Sequence, residues 1–380
     1  MSLQKIAELT GVSKATISRM LNDPEYIGRS RELHKKVWDT AIELNYTPNI
    51  AARNLKLGET GDVKPYYINI LMTRTEDENM DPFFLDLLRN VEREIHRKNY
   101  ILSHIWYNPL FSNDSACRHS DMNDVVERLY KEVEGKADGL IIMGKCCKSA
   151  LAALMTRYEN IISISRNPLH GNETGFPSHH TSSEAGHASG TQTAPCLVDE
   201  IISDGKKISA LAVSYLNDLG HTEIGYVGIY QHEARYKGFL EEMQKRGLDL
   251  NPAFIQDVPQ TREGGKQAMN NFFEMEERPT AIYCANAITA VGMLECLKKN
   301  KRKKYFPSII ASDDIEEAKL TDPALTTVSI PREDIARLAV ITLADRIEGG
   351  HQNILQTSFD CSVIVRGSCR DVEDDGWYEY

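Results

Sequence analysis

Long hydrophobic runs are absent from this 380-residue chain. No stretch approaches the roughly 20 apolar residues that a membrane-spanning helix needs. The N-terminus also lacks the charged-then-apolar pattern of a secretory leader, so a cytoplasmic protein is expected. The eight cysteines show no C-x-x-C pair or other metal spacing, so they read as reduced core residues. Adjacent Cys146 and Cys147 raise a redox reading. Against it, neighbours at a strand end usually face opposite ways. Catalytic signatures are missing too, with no G-x-S-x-G elbow and no H-E-x-x-H helix. The stretch REGGKQA (262–268) fails as a phosphate loop. Gln260 stands where the leading Gly belongs, and Gln267 where magnesium needs Ser or Thr. Neither an enzyme nor a cofactor or metal site is therefore expected.

What the chain does carry is an uneven charge. The net charge is −11, yet residues 1–58 hold nine Lys and Arg against six Asp and Glu. A cationic head on an acidic body is expected if only the head must approach phosphate. The length suggests two or three domains.

In the head, Leu3, Ile6, Ala7 and Leu9 have helical spacing, and Gly11 supplies a turn that tolerates positive φ. Ser13 is a good N-cap for a second helix from about Lys14 to Leu21. There Ala15, Ile17, Met20 and Leu21 can pack inward, leaving Lys14, Thr16, Ser18 and Arg19 outside. A third helix, about Arg31 to Leu44, carries Leu33, Val37, Ala41 and Leu44 on one stripe. Three short helices around one small core make a helix-turn-helix domain whose second helix enters a major groove.

The run from Ile6 to Asn22, IAELTGVSKATISRMLN, and the run NYTPNIAARNL (45–55) resemble the lactose/galactose-repressor (LacI/GalR) family of bacterial transcription regulators. The likeness recurs in shorter pieces over most of the chain. It implies that Lys14 and Ala15 choose bases, Lys14 donating to guanine and Ala15 offering its methyl to thymine. Arg19 would be a second base reader, while Ser13, Thr16 and Asn22 anchor phosphates. The loop from Glu25 to Arg31 is about two residues longer than the common family pattern. Pro48 and Asn49 form a stop-and-cap pair before a two-turn helix that is marginal alone. In the resembled family this hinge folds over the minor groove, and Leu55 takes the place of the wedge that opens a base step.

From Tyr66 onward, strand and helix patterns alternate, which implies parallel sheets flanked by helices. Candidate strands are Tyr67–Met72, Ile101–Trp106, Gly139–Met143, Ile161–Ser165, Glu223–Ile229, Ala281–Cys284 and Ser308–Ala311, with helices such as Phe83–Lys98 and Arg235–Arg246 between them. The resemblance implies two lobes of periplasmic-binding-protein type, joined by three crossovers around a cleft. The expected fold is thus an all-α helix-turn-helix domain (1–48), a hinge helix and linker (49–65), and a two-lobed α/β effector-binding and dimerisation domain (66–380). Within it the first lobe spans about 66–168 and 332–357, and the second about 196–331 and 358–370.

Arg235 in EARYKGF matches the family's effector-gripping arginine, and Asn286 and Asp313 match two further ligands. Their mixed donors and acceptors suit vicinal hydroxyls. Phe83, Phe84 and Trp106 could stack on the apolar face of a sugar, and each could equally be core. Ala287, Gln260 and Ile330 depart from the family pattern and leave the ligand open. The galactose-type regulators are the nearest in feel, from the stretch MTRTEDENMDPFF (72–84).

Residues 169–195 are rich in Gly, Ser, Thr and His and hold no Lys or Arg, so a flexible surface insert is expected. Its histidines 170, 179, 180 and 187, with Cys196, have irregular spacing for a metal. The C-terminus lacks the leucine heptads of tetrameric relatives. The expectation is a homodimeric repressor that binds a pseudo-palindromic operator under the control of a small molecule, which the resemblance implies to be a sugar. Two alternatives stay open: a ligand-binding protein with an inactive head, or an enzyme on a similar scaffold.

Overall fold

The computed structural model describes residues 3–22, 26, 30–44, 65–74, 82–165, 198–230, 233–300 and 304–373. Asn49, Leu55 and the 169–195 insert lie outside the described residues, as does the side chain of Asn22.

The head holds α1 (Leu3–Thr10), α2 (Lys14–Asn22) and α3 (Arg31–Glu43). Gly11 sits at φ +70°, in the left-handed region that a residue with a Cβ adopts at a cost. Ile6, Ile17, Met20, Leu21, Val37, Trp38 and Ala41 form its core. Leu9 lies in α1 as its spacing implies, but is 53% exposed. The inward stripe of α1 runs Leu3, Ile6, Ala7, Thr10, and Leu9 lies about 100° round the helix from Thr10. Ala15 is exposed rather than packed inward.

The body contains two six-stranded sheets. The first has the order β11-β5-β4-β3-β1-β2 and is parallel throughout. Its strands are β1 (Tyr67–Met72), β2 (Ile101–Tyr107), β3 (Gly139–Met143), β4 (Ile161–Ser165), β5 (Asp199–Ile202) and β11 (Gln356–Ser358). The second has the order β12-β10-β9-β8-β6-β7, built from β6 (Ile224–Val227), β7 (Ile255–Gln256), β8 (Ala281–Cys284), β9 (Ser308–Ser312), β10 (Thr326–Ser329) and β12 (Ser362–Ile364). Only its β10–β12 pair is antiparallel.

The strands are apolar on both faces because helices cover both faces. Ile68, Ile70 and Met72 of β1 join one cluster, while Leu71 joins another on the opposite side. The helices of the first lobe are α4 (Pro82–Arg97), α5 (Asp114–His119), α6 (Met122–Glu132) and α7 (Lys148–Met155). The second lobe carries α8 (Gly205–Asp218), α9 (Ala234–Lys245), α10 (Arg262–Phe273), α11 (Ala287–Lys299) and α12 (Glu316–Leu320). The chain returns to the first lobe through α13 (Arg332–Ile347). It therefore passes between the sheets three times: after β5, after β10 and after β11.

Residues Asp199–Ile202, expected in the second lobe, pair with β4 and β11 in the first sheet. The buried Asp199 carboxylate ties the start of this strand to Arg346 (2.6 and 2.7 Å), to His351 Nε2 (2.9 Å) and to the Leu355 amide (2.8 Å). These partners lie about 150 positions away in sequence, which is why the strand was not legible locally. The expected strand Glu223–Ile229 shortens to Ile224–Val227. The glycines of REGGKQA have a packing role. A Cβ on Gly265 would meet the carbonyl of Thr289, and one on Gly292 the carbonyl of Arg262, so α10 and α11 pack backbone to backbone.

The head rests on α4. Arg93 pairs with Asp39 at 3.2 Å, and the indole of Trp38 stacks on His96 at 6.1 Å. Asp86 receives Lys35 of the head at 3.9 Å and Arg332 of α13 at 2.8 Å.

Candidate nucleic-acid interface and ligand cluster

Helix α2 divides cleanly. Ile17, Met20 and Leu21 are buried, while Ser13, Lys14, Ala15 and Arg19 are exposed and Thr16 is half-buried. Ser13 Oγ accepts the Thr16 amide at 3.2 Å and lies 2.8 Å from the Thr16 hydroxyl, so both side chains fix the start of the helix. Lys14 and Arg19 form no ion pair among the described residues, and the Arg19 guanidinium lies 6.0 Å from the Tyr26 ring. Two cations with no ion pair among the described residues, and a methyl group, thus stand exposed on α2, the donor and apolar set that a major groove can read.

In the second lobe, three predicted ligand residues meet at the carboxyl ends of the strands, where open α/β sheets place their ligands. Arg235 opens α9, Asn286 caps α11, and Asp313 follows β9. All three are buried. The Arg235 guanidinium donates to the carbonyl of Ala285, next to Asn286. Burial alone would lower its pKa, but Glu233, and to a smaller degree Asp313, hold it well above the usual value. Asp313 sits at φ +73°, the left-handed region that Asp tolerates better than most residues.

Asn286 is largely committed to structure. Its Oδ1 accepts the Thr289 amide at 3.3 Å, and its Nδ2 donates to the Gln260 carbonyl at 3.3 Å. The Gln260 amide nitrogen is buried with no hydrogen-bond partner among the described residues, which leaves a donor beside this cluster. Ile330, the other departure, is buried core.

The aromatic trio separates. Phe83 and Phe84 pack edge to face at 5.3 Å in the core, with Arg332 over one ring at 5.6 Å and Arg74 over the other at 5.0 Å. Trp106 is a correction. It lies in the cluster on the other face of the first sheet and donates its indole N–H to Glu132 of α6 at 2.8 Å. A bulky side chain of that parity on β2 is absorbed by the helix layer.

Sequence reasoning missed Glu233, which forks the Arg235 guanidinium at 3.0 and 3.1 Å. Its signal was the acidic residue two positions before that arginine. It also missed Arg332, whose guanidinium reaches Asp86 in the first lobe and donates to the Asp314 carbonyl in the second at 2.8 Å. No short-range pattern marks such a bridge.

Cys146 and Cys147 do not meet each other through their thiols: Cys147 Sγ lies 2.7 Å from that of Cys117. Both are buried, and burial pushes the Cys146 thiol up to about 12 and raises that of Cys147 as well. A protonated thiol is a poor nucleophile. Among the described residues, no group of three or more His, Cys, Asp or Glu could hold a metal, and no helix is long and apolar enough to cross a membrane.

Comparison with known proteins finds the same two-part organisation. The family described as "Bacterial regulatory proteins, lacI family" matches residues 2–49, and "Periplasmic binding protein-like domain" matches residues 213–369. The HTH-type transcriptional repressor PurR of Aliivibrio salmonicida (strain LFI1238) is 26% identical over 372 residues, spanning 97% of this chain and 98% of its own. Two solved structures share the fold at 18% identity. The transcriptional regulator CelR–cellobiose complex has a TM-score of 0.59 and covers 97% of this chain and 100% of its own. The lac repressor dimer bound to operator and the anti-inducer ONPF has a TM-score of 0.57 and covers 97% and 98%.

Proposed function

Because this chain belongs to the lacI family of DNA-binding transcriptional repressors, which are not enzymes, we propose that it silences a sugar-utilisation operon in the bacterial cytoplasm. It does so as a homodimer on a pseudo-palindromic operator. Residues 1–48 read the operator, 49–65 form the hinge with Asn49 as cap and Leu55 as wedge, and 66–380 bind effector and pair the subunits. Lys14, Ala15 and Arg19 read bases, while Ser13, Thr16 and Asn22 set phosphate register.

The observation that carries this reading is the exposed cationic face of α2 on an otherwise acidic chain. The sugar assignment is supported by the convergence of Arg235, Asn286 and Asp313, and by the disaccharide in the CelR complex. Pairing is supported by a groove of Val291, Leu294 and Leu320 rimmed by Arg262, Glu295 and Lys298. Leu320 is 83% exposed at this groove, a side chain that a second copy would cover. Effector would act by favouring one lobe geometry over another, and only one geometry holds two hinges together.

The test is operator titration across a salt series, with and without mono- and disaccharides. Affinity should fall steeply with salt, removal of residues 1–58 should abolish it, and one sugar should shift it. Salt-independent binding, or equal affinity for every duplex under all conditions, would overturn the reading.

A further inference from the structure

Glutamate is an uncommon way to open a helix. Its carboxylate stands one carbon further out than that of Asp, and the short polar residues Ser, Thr, Asp and Asn are preferred. The Glu233 bond to the Arg235 amide is accordingly long, at 3.3 Å. The same carboxylate is better aimed at the guanidinium, with Nε donating to Oε1 at 3.0 Å and the terminal nitrogen to Oε2 at 3.1 Å. The other terminal nitrogen donates to the Ala285 carbonyl. A guanidinium offers five N–H donors. Three are therefore committed, two of them to a carboxylate that cancels its charge, and Asp313 adds a second negative charge within electrostatic reach.

Resting on the effector reading above, we infer that Glu233 sets the charge class of the effector: the site takes an uncharged, hydroxyl-bearing molecule and refuses sugar phosphates, sugar acids and other anions. An anion would have to displace Glu233 or lie beside two carboxylates in a buried cluster, where like charges repel strongly. A neutral polyol meets neither obstacle. Its hydroxyls donate to the carboxylates and accept from the two remaining guanidinium N–H groups. Two cations over the Phe83–Phe84 pair must be considered. Arg332 is held by Asp86, and Arg74, over Phe84, is exposed and needs a control.

Inorganic phosphate is the probe. Thermal unfolding of the full chain is followed as phosphate replaces chloride at constant ionic strength, for wild type, Glu233→Gln and Glu233→Ala, each with and without Arg74→Ala. Glu233→Gln keeps the hydrogen-bonding shape, so a folded comparison is retained if the alanine variant is too unstable. Wild type should show no saturable rise in Tm. Both variants should bind phosphate at least tenfold more tightly than wild type, whether or not Arg74 is present. A wild-type response equal to that of Glu233→Gln, or no response in either variant, overturns the inference. The effector reading is scored separately by operator release with neutral sugars. If the variants gain phosphate binding while no neutral sugar moves operator affinity, the cluster is not an effector site, and the assigned charge class falls with it.

Discussion

Replacing Arg235 with methionine keeps most of the side-chain volume while removing the cation. The structure sets the cost. Arg235 is fully buried, its fork to Glu233 is lost, and the Ala285 carbonyl loses a donor. Breaking a buried ion pair by deleting one partner typically costs about 3–5 kcal/mol. The Glu233 side chain is 16% exposed and regains some hydration, which favours the lower end, about 3 kcal/mol. For a cooperative unit the size of this lobe, that is a fall in Tm of roughly 6–12 °C. Deleting both charges in Glu233→Gln/Arg235→Met should recover part of the loss, leaving a coupling energy of about 2 kcal/mol. Circular dichroism melts and urea titrations of the four chains close the cycle. A methionine variant that melts within about 1 °C of wild type would refute the reasoning, since a paired, buried arginine cannot be deleted at so small a cost. The same number warns that loss of ligand response in an alanine variant here reports stability as much as recognition.

Three other outcomes are expected. Ser13→Ala removes the cap of the nine-residue α2 and should weaken operator binding by about 1 kcal/mol, with Ser13→Thr close to wild type; titration of a matched operator measures both. Lys14→Ala should cost about 1–3 kcal/mol on the preferred operator and narrow its lead over altered duplexes, whereas an equal loss on every duplex would make Lys14 a phosphate contact. The pKa of His351 is raised by its bonds to Asp345 and Asp199. Its stabilisation should therefore be complete below about pH 6.5 and decline as pH rises through the folded value. Melting curves of wild type and His351→Gln should converge over that rise, and a constant gap from pH 5 to 9 would exclude it.

Local pattern revealed the parts whose physics is local. The head helices follow from 3.6-residue periodicity and a Ser cap, and β1, β3, β8 and β9 from apolar runs buried on both faces. What stayed hidden depends on distant partners. Strand β5 is held by residues near position 350, and β11 and β12 are three-residue strands that exist only because a neighbouring edge pairs with them. The grouping of Arg235, Asn286 and Asp313 was anticipated through motif likeness. Glu233 was overlooked because its fork to Arg235 depends on how the two side chains fold back on each other, not on spacing alone. Trp106 misled because alternation alone does not say which face of a doubly covered sheet lines the cleft.

Asp86 has one carboxylate and two suitors, a lysine on the head and an arginine on the returning crossover helix. A rocking of the lobes that pulled the arginine away would leave more negative charge for the lysine, and the reverse movement would leave less. The helical head is then seated on a shoulder whose electrostatic grip would vary with lobe posture.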